Sequence, residues 1–281
     1  MSHLITATDA IAALNDPDTR FFDATFVLPT MNRDAKAEFD RSHIPQAQFF
    51  DIDAIADPAS DLPHMVPDTA TFTQMMRALG ICNHHRIIFY DNSPFLSSAR
   101  GWWLLRLFGK QGVFVLDGGL PAYLAAGGTV VSGAAQMPEA GDFTPAEPLA
   151  HIMMFDALRN YIETGQAAQI LDARPAPRFT GEAAEPRAGL RSGHMPDAMN
   201  VPITTLLDEK TGCLKDNDAL TTLFQEVGFD FNRPAITSCG SGVTAAGLTL
   251  ALAQLGKDDI ALYDGSWAEW GASDAPIQTG E

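Results

Sequence analysis

Three of the 281 residues are cysteines, Cys82, Cys213 and Cys239, and only Cys239 has neighbours that fit it for chemistry. It follows the β-prone run Ala235-Ile-Thr-Ser238 and precedes Gly240-Ser241-Gly242-Val243-Thr244, beyond which an apolar helical pattern runs to Leu255. Glycines at positions 240 and 242 let backbone N–H groups turn inward toward one point, and a helix starting near Val243 adds the partial positive charge of its N-terminus. Both effects stabilise a thiolate or a larger sulfur anion, which is the requirement of a nucleophilic cysteine. The plainer alternative is a buried cysteine in a tight turn, although such a turn has no packing use for a sulfur. Cys82 and Cys213 lack these surroundings and read as packing or surface thiols. An odd number of cysteines without Cys-x-x-Cys spacing argues against a disulfide framework and against a structural zinc site.

Four arginines, Arg174, Arg178, Arg187 and Arg191, fall close together in a chain that holds 18 basic and 35 acidic residues, for a net charge of −17. In so acidic a protein they form a local anion site, because guanidinium groups stay charged and bind carboxylate bidentately. Each could instead be paired with Asp172, Glu182 or Glu185, and Arg174, just after the strand-end Asp172, fits a bracing role best. The overall charge repels phosphate backbones and anionic lipid, so nucleic acid and membrane surfaces are not expected partners. No apolar run approaches the roughly 20 residues a membrane span needs, and the start has neither a basic nor an apolar leader region; a cytoplasmic location is the expectation.

These residues must be positioned by a fold, and the chain carries a repeat that describes it. Asp68, Phe72, Met75, Met76, Leu79 and Gly80 give an acidic cap, an amphipathic helical stripe and a glycine stop; Asp216, Leu220, Leu223, Phe224, Val227 and Gly228 repeat them 148 residues later. Phe22-Asp-Ala24 answers Leu171-Asp-Ala173, His43-Ile-Pro45 answers His194-Met-Pro196, and Leu116-Asp-Gly-Gly119 answers Tyr263-Asp-Gly-Ser266, in the same order. Within each half, β-rich runs alternate with helical patterns: Arg86–Tyr90 precedes Ser97–Phe108, and Ala235–Ser238 precedes Val243–Leu255. Such alternation predicts an α/β fold of two tandem domains, each a mostly parallel sheet flanked by helices. Residues 1–130 form the first domain and 151–281 the second. The Gly/Pro/Ala/Ser-rich stretch 131–150 joins them. The position equivalent to Cys239 in the first half is Asp91, in Tyr90-Asp-Asn-Ser-Pro-Phe95, so one active site per chain is expected.

The doubled unit and Cys239-Gly-Ser-Gly-Val-Thr244 together resemble the 3-mercaptopyruvate sulfurtransferases of the rhodanese superfamily over essentially the whole chain. Asp172-Ala-Arg174, Arg178-Phe-Thr-Gly181, Glu185-Pro-Arg187, Gly193-His-Met-Pro196, Asn200-Val-Pro202 and Tyr263-Asp-Gly-Ser-Trp-Ala-Glu-Trp270 carry the resemblance, as do Arg41-Ser-His-Ile-Pro45, Phe49-Phe-Asp-Ile-Asp53 and Leu116-Asp-Gly-Gly-Leu120. It implies sulfur transfer in two half-reactions. The Cys239 thiolate takes the thiol sulfur of 3-mercaptopyruvate, pyruvate leaves, and the persulfide is handed to cyanide, a small thiol or thioredoxin, with no cofactor and no metal. By the same likeness Arg178 and Arg187 hold the substrate carboxylate and carbonyl, the loop residues Gly240, Gly242, Val243 and Thr244 surround the substrate, and Ser241 moves the proton. Asp53 and His64 assist that relay; a helix-capping Asp and a surface-loop His are the alternatives for them.

Gln46 and Asp197 stand after Pro45 and Pro196 where that family commonly has glycine, so those turns are expected to be slightly reshaped. A thiosulfate sulfurtransferase on the same fold is the nearest rival reading, but its members usually carry basic residues after the cysteine, and Gly240 and Ser241 are neutral. A thiol phosphatase needs an Arg where Ala245 stands. A non-catalytic sulfur carrier or partner-binding module would need neither the arginine pair nor the glycine loop.

Overall fold

The computed structural model describes residues 2–165 and 169–280. The chain divides into two compact units. Unit 1 comprises Met1–Pro58, Val66–Leu149 and Leu207–Leu214, and unit 2 comprises Ala59–Met65, Ala150–Leu206 and Lys215–Glu281. Sequence periodicity gives no sign that residues 59–65 and 207–214 group as they do.

Among the described residues unit 1 contains β1 (Leu4–Ile5), α1 (Ala7–Ala13), β2 (Thr19–Asp23), α2 (Ala35–Arg41), β3 (Gln48–Phe49), α3 (Thr69–Ala78), β4 (Arg86–Tyr90), α4 (Ser98–Leu107), β5 (Val113–Leu116) and α5 (Gly119–Ala125). Its five-stranded sheet is ordered β1-β5-β4-β2-β3, and every pairing is parallel. Unit 2 repeats the plan with β6 (His151–Met153), α6 (Phe155–Glu163), β7 (Gln169–Asp172), α7 (Ala176–Phe179), β8 (Met199–Asn200), α8 (Asn217–Glu226), β9 (Ala235–Ser238), α9 (Ala245–Gln254), β10 (Ile260–Tyr263) and α10 (Ser266–Trp270). The sheet order β6-β10-β9-β7-β8, again all parallel, is the same order displaced by five strands. The α/β fold of two parallel sheets flanked by helices is therefore present as read.

The reasons are local. The Asp68 carboxylate accepts the N–H groups of Ala70 and Thr71 at the start of α3, and Asp216 accepts that of Ala219 at the start of α8. Phe72 and Met76 on α3, and Leu220 and Phe224 on α8, are the buried stripe. Both helices stop at glycines in the left-handed region, Gly80 at φ 72° and Gly228 at φ 86°. The matched histidines also do one job twice. His43 stacks on Phe39 and His194 on Phe179, each with Nδ1 on the carbonyl of the phenylalanine beneath it.

Two details depart from expectation. Gln46 and Asp197 both take left-handed backbone, at φ 66° and 59°, and the turns close in the same way, Ala47 N–H on Ile44 O and Ala198 N–H on Met195 O. The turn geometry is kept, at a modest strain cost where glycine would have none. The stretch read as a joining segment also lies along unit 1. Phe143 is fully buried against Phe72, and the N–H groups of Gly141, Phe143, Ala146 and Leu149 bond carbonyls of Arg77, Ile81, Phe108 and Arg106. No described helix is long and apolar enough to cross a membrane.

Candidate active site

Unit 2 places Cys239 at the carboxyl end of β9, one residue past Ser238, which pairs with Asp172 at the end of β7. The β7–β8 and β9–β10 connections leave in opposite directions, so this point is the topological switch of the sheet, where open α/β folds take their ligands. Helix α9 is buried from Ala245 to Leu252 and pinned to β9 by a 2.9 Å bond between the Thr237 and Thr249 hydroxyls. It starts at Ala245, two residues later than the sequence pattern indicates, because Val243 and Thr244 close the turn that the loop needs.

Cys239 is 2% exposed. Among the described residues the backbone N–H groups of Gly240, Ser241, Val243 and Thr244 have no protein acceptor. Gly242 holds the loop in the left-handed region at φ 80°, which a residue with a Cβ adopts only with strain. A thiol next to unpaired N–H donors and the N-terminus of a ten-residue helix is a cradle for a sulfur anion.

The equivalent loop of unit 1 shows what is lost without the thiol. Asp91, buried at the end of β4, accepts Ser93 N–H and Ser98 N–H on its own carboxylate, while Asn92 N–H goes to Thr25 Oγ1 and Phe95 N–H to Ser93 Oγ. Three of the four donors that match the free ones around Cys239 are thus spent inside the protein, and only that of Leu96 has no acceptor among the described residues.

Sequence reasoning missed Ser266. It sits at φ 49°, fully buried, where the first half has Gly119 at φ 58°. Its hydroxyl accepts the Cys239 N–H at 3.2 Å and donates to Tyr263 O at 2.9 Å, while the Trp267 and Ala268 N–H groups hold the carbonyls of Cys239 and Gly240. A left-handed serine costs about 1–3 kcal/mol, so the strain is sustained by what the hydroxyl does for the cysteine peptide. The signal in the sequence is a mismatch in the repeat, Gly-Gly119 against Gly-Ser266. Ser266→Gly should leave the melting temperature within a few degrees of wild type, since lost bond and relieved strain offset, while lowering kcat/KM about tenfold. Thermal unfolding and steady-state kinetics on one sample check it; unchanged kinetics would limit the hydroxyl to a structural part.

The remaining residues separate by partner. Arg174 is fully buried, with Nε on the Asp172 carboxylate, Nη1 on Glu185 at 2.9 Å, Nη2 on Gly193 O, and its guanidinium 4.0 Å from the Trp267 ring, so it braces the loop as expected. Arg178, on α7, is fixed by the other face of Glu185 through Nε and Nη2, and that Nη2 lies beside Gly240, 3.3 Å from where a Cβ would be. The pairing read as an alternative for Arg178 is thus made, and it aims the guanidinium at the cysteine loop. Arg187 is half-buried and makes no hydrogen bond or ion pair among the described residues. Arg191 binds the carbonyls of Gly271, Trp270 and Ala275.

His64 belongs to unit 2 and is not a surface-loop residue. It is buried, at φ 61°, with Nδ1 2.9 Å from Ser241 Oγ. Asp53 belongs to unit 1, is exposed, and gives its N–H to Asp51; the capping oxygen there is that of Asp51, which also takes Ala54 N–H. The described Cys, His and carboxylate groups close enough to share a cation are Cys82, His84 and His85 of unit 1, and the His85 Nδ1 there already accepts the Cys82 N–H.

Two parallel five-stranded sheets with a cysteine in a glycine loop at one switch point define the class. A rhodanese-like domain model matches residues 6–126 and again 154–273, and the chain belongs to the rhodanese family. It is similar to the 3-mercaptopyruvate sulfurtransferase of Escherichia coli K12, 44% identical over 268 residues covering 94% of both chains, and to the human 3-mercaptopyruvate sulfurtransferase, 36% identical over 273 residues covering 95% of this chain and 91% of that one. The crystal structure of SseA from Escherichia coli, a 3-mercaptopyruvate sulfotransferase of rhodanese fold, superposes with a TM-score of 0.85 at 39% identity, covering 95% of this chain and 99% of that one.

Proposed function

We propose that the chain takes the sulfur of 3-mercaptopyruvate onto Cys239 as a persulfide and passes it to a nucleophilic acceptor, releasing pyruvate. The observation that carries this reading is the contrast between the two equivalent loops: among the described residues the N–H groups of Gly240, Ser241, Val243 and Thr244 are unpaired, whereas three of their four counterparts, those of Asn92, Ser93 and Phe95, are consumed. In the first half-reaction the Cys239 thiolate attacks the substrate sulfur. The carbon–sulfur bond breaks, its electron pair goes to the methylene carbon, and the pyruvate enolate so formed takes up the proton the sulfur carried. The N–H groups of Gly240, Ser241, Val243 and Thr244 stabilise the charge left on the outer sulfur, and Gly242 gives the loop the turn that lines the substrate. In the second half-reaction cyanide, a small thiolate or the thiolate of a thioredoxin attacks that sulfur, the S–S bond breaks, and its electron pair returns to Cys239.

Ser241, bonded to His64, is the path for the proton, and Asp53 is the outer member of the relay. Arg178 and Arg187 take the carboxylate and carbonyl of the donor. All bond changes are on sulfur and carbon, so the scheme calls on no cofactor. The nucleophile and the substrate-binding arginines fall within residues 151–281; residues 1–130 lack the nucleophile but supply His64 and Asp53, and 131–150 joins the two. A cytoplasmic location accords with three free cysteines.

Donor choice tests the reading. Mercaptopyruvate bears its charge on a carboxylate remote from the sulfur, whereas thiosulfate brings two negative charges next to the sulfur it gives, and the side chains at Gly240 and Ser241 are uncharged. Wild-type kcat/KM should strongly favour mercaptopyruvate. Gly240→Arg with Ser241→Lys should lower both activities and shift their ratio toward thiosulfate, each added charge contributing on the order of 1–3 kcal/mol where water is partly excluded. Equal wild-type efficiencies, or an unchanged ratio in the folded variant, would overturn the assignment of donor.

A further inference from the structure

Unit 1 has no nucleophile, yet it keeps a cavity at the place where unit 2 keeps its site. The cavity measures about 590 Å³ and is lined by Asp23, Arg33, Arg41, Phe39, Leu120 and Leu124 among others. It lies at the carboxyl ends of β2 and β4, the strands between which the connections of this sheet reverse direction, and such crevices are where open parallel sheets take ligands.

Its parts correspond to those of unit 2. Arg33 makes a two-point pair with Glu38 through Nε and Nη2, and Nη2 also bonds Asn92 O at 2.8 Å. In unit 2 Arg178 makes the same two-point pair with Glu185, and its Nη2 lies beside Gly240, the repeat counterpart of Asn92.

The base differs in sign. Asp172 has Arg174 on its carboxylate; the equivalent Asp23 has the Thr25 N–H and hydroxyl. Burial pushes the Asp23 carboxyl up to about 6 despite those bonds, and the charge of Asp91 adds to the push, so at neutral pH the base is anionic and lacks a cation. Arg41 on the rim is exposed and forms no hydrogen bond or ion pair among the described residues. Between base and rim the wall is apolar, with Leu120 and Phe39 buried and Leu124 45% exposed.

We propose that this cavity binds a small aliphatic α-amino acid as its zwitterion, the ammonium on Asp23, the carboxylate on Arg41 and the side chain against Leu120 and Leu124. A plain anion meets the carboxyl groups of Asp23 and Glu38 and a loop whose Asn92, Ser93 and Phe95 N–H donors are already spent, and a plain cation leaves Arg41 unused. The opposed charges of base and rim select a molecule that carries both, and the wall selects an apolar body.

The test is calorimetric titration of the full chain with L-2-aminobutyrate, with butyrate and propylamine as single-charge controls. One saturable site per chain is expected, with each control weaker by about tenfold or more. Arg41→Ala removes an exposed cation, and Ala35→Phe fills the cavity from the first turn of α2; each should weaken the amino acid by about tenfold or more, while Arg187→Ala leaves it unchanged. Should Ala35→Phe fail to fold, Arg41→Ala decides alone. Butyrate binding as tightly as the amino acid, the absence of saturable binding at millimolar ligand, or loss on Arg187→Ala with Arg41→Ala unaffected would each overturn the proposal. The last result would place the amino acid at the Cys239 loop, and none of them bears on sulfur transfer there.

Discussion

Cys239→Ser is expected to abolish sulfur transfer, by about 10⁴-fold or more, because an alkoxide oxygen in the same cradle forms no persulfide. Cys82→Ser and Cys213→Ser should stay within about twofold of wild type. The difference follows from surroundings. Burial, with Asp117 and Asp208 nearby, pushes the Cys213 thiol up, so it stays protonated. Cys82 is followed by Asn83-His84-His85 and the strand β4, with neither a glycine loop nor a helix start beside it. Cys239 alone has unpaired N–H groups and a helix start beside it. Rate assays on the three variants, with mass spectrometry of wild type treated with mercaptopyruvate and no acceptor, check the expectation. One added sulfur should appear on the Cys239 peptide; sulfur on the peptide of Cys82 or Cys213 would move the nucleophile elsewhere.

The features legible in the sequence are those written in local periodicity. β4 and β9 fall at Arg86–Tyr90 and Ala235–Ser238 as the β-rich runs indicate, and the caps of α3 and α8 sit on Asp68 and Asp216. The cysteine loop was legible too, since glycines between a strand and a helix have few other uses. Partner choice was not. That Glu185 is shared by Arg174 and Arg178 depends on a turn of α7 and on the chain returning after it, and nothing in the spacing distinguishes Glu185 from Glu182. The grouping of His64 with unit 2 is likewise a tertiary fact, since residues 59–65 carry no periodic pattern of either half. Two-residue strands such as β3 and β8 have no run long enough to announce them, and their place is fixed by pairing with the ends of β2 and β7. Ser266 is the instructive case. Its left-handed backbone contradicts its own preference, and local rules fail there because the hydroxyl is needed at the Cys239 peptide.

Among the arginines the structure sets an order of effects. Arg187→Ala should lower kcat/KM for mercaptopyruvate by about 10²-fold with little change in stability, since a half-buried guanidinium with no hydrogen-bond or ion-pair partner among the described residues has only ligand to lose. Arg178→Ala should cost a similar factor, because its Nη2 is the cation nearest the loop at Gly240. It should destabilise only modestly, as the Glu185 carboxylate, 1% exposed, keeps Arg174 as a partner. Arg191→Ala is expected to do the reverse. It strips donors from the carbonyls of Trp270, Gly271 and Ala275, which follow the residues that hold the Cys239 loop, so the melting temperature should fall by several degrees while kcat/KM changes less than for Arg178 or Arg187. Steady-state kinetics and thermal unfolding on the three variants separate the cases. If Arg191 proved the costliest for kcat/KM at an unchanged melting temperature, the carboxylate of the donor would have to be placed on Arg191, and the reading of Arg187 as an uncommitted cation waiting for substrate would fall.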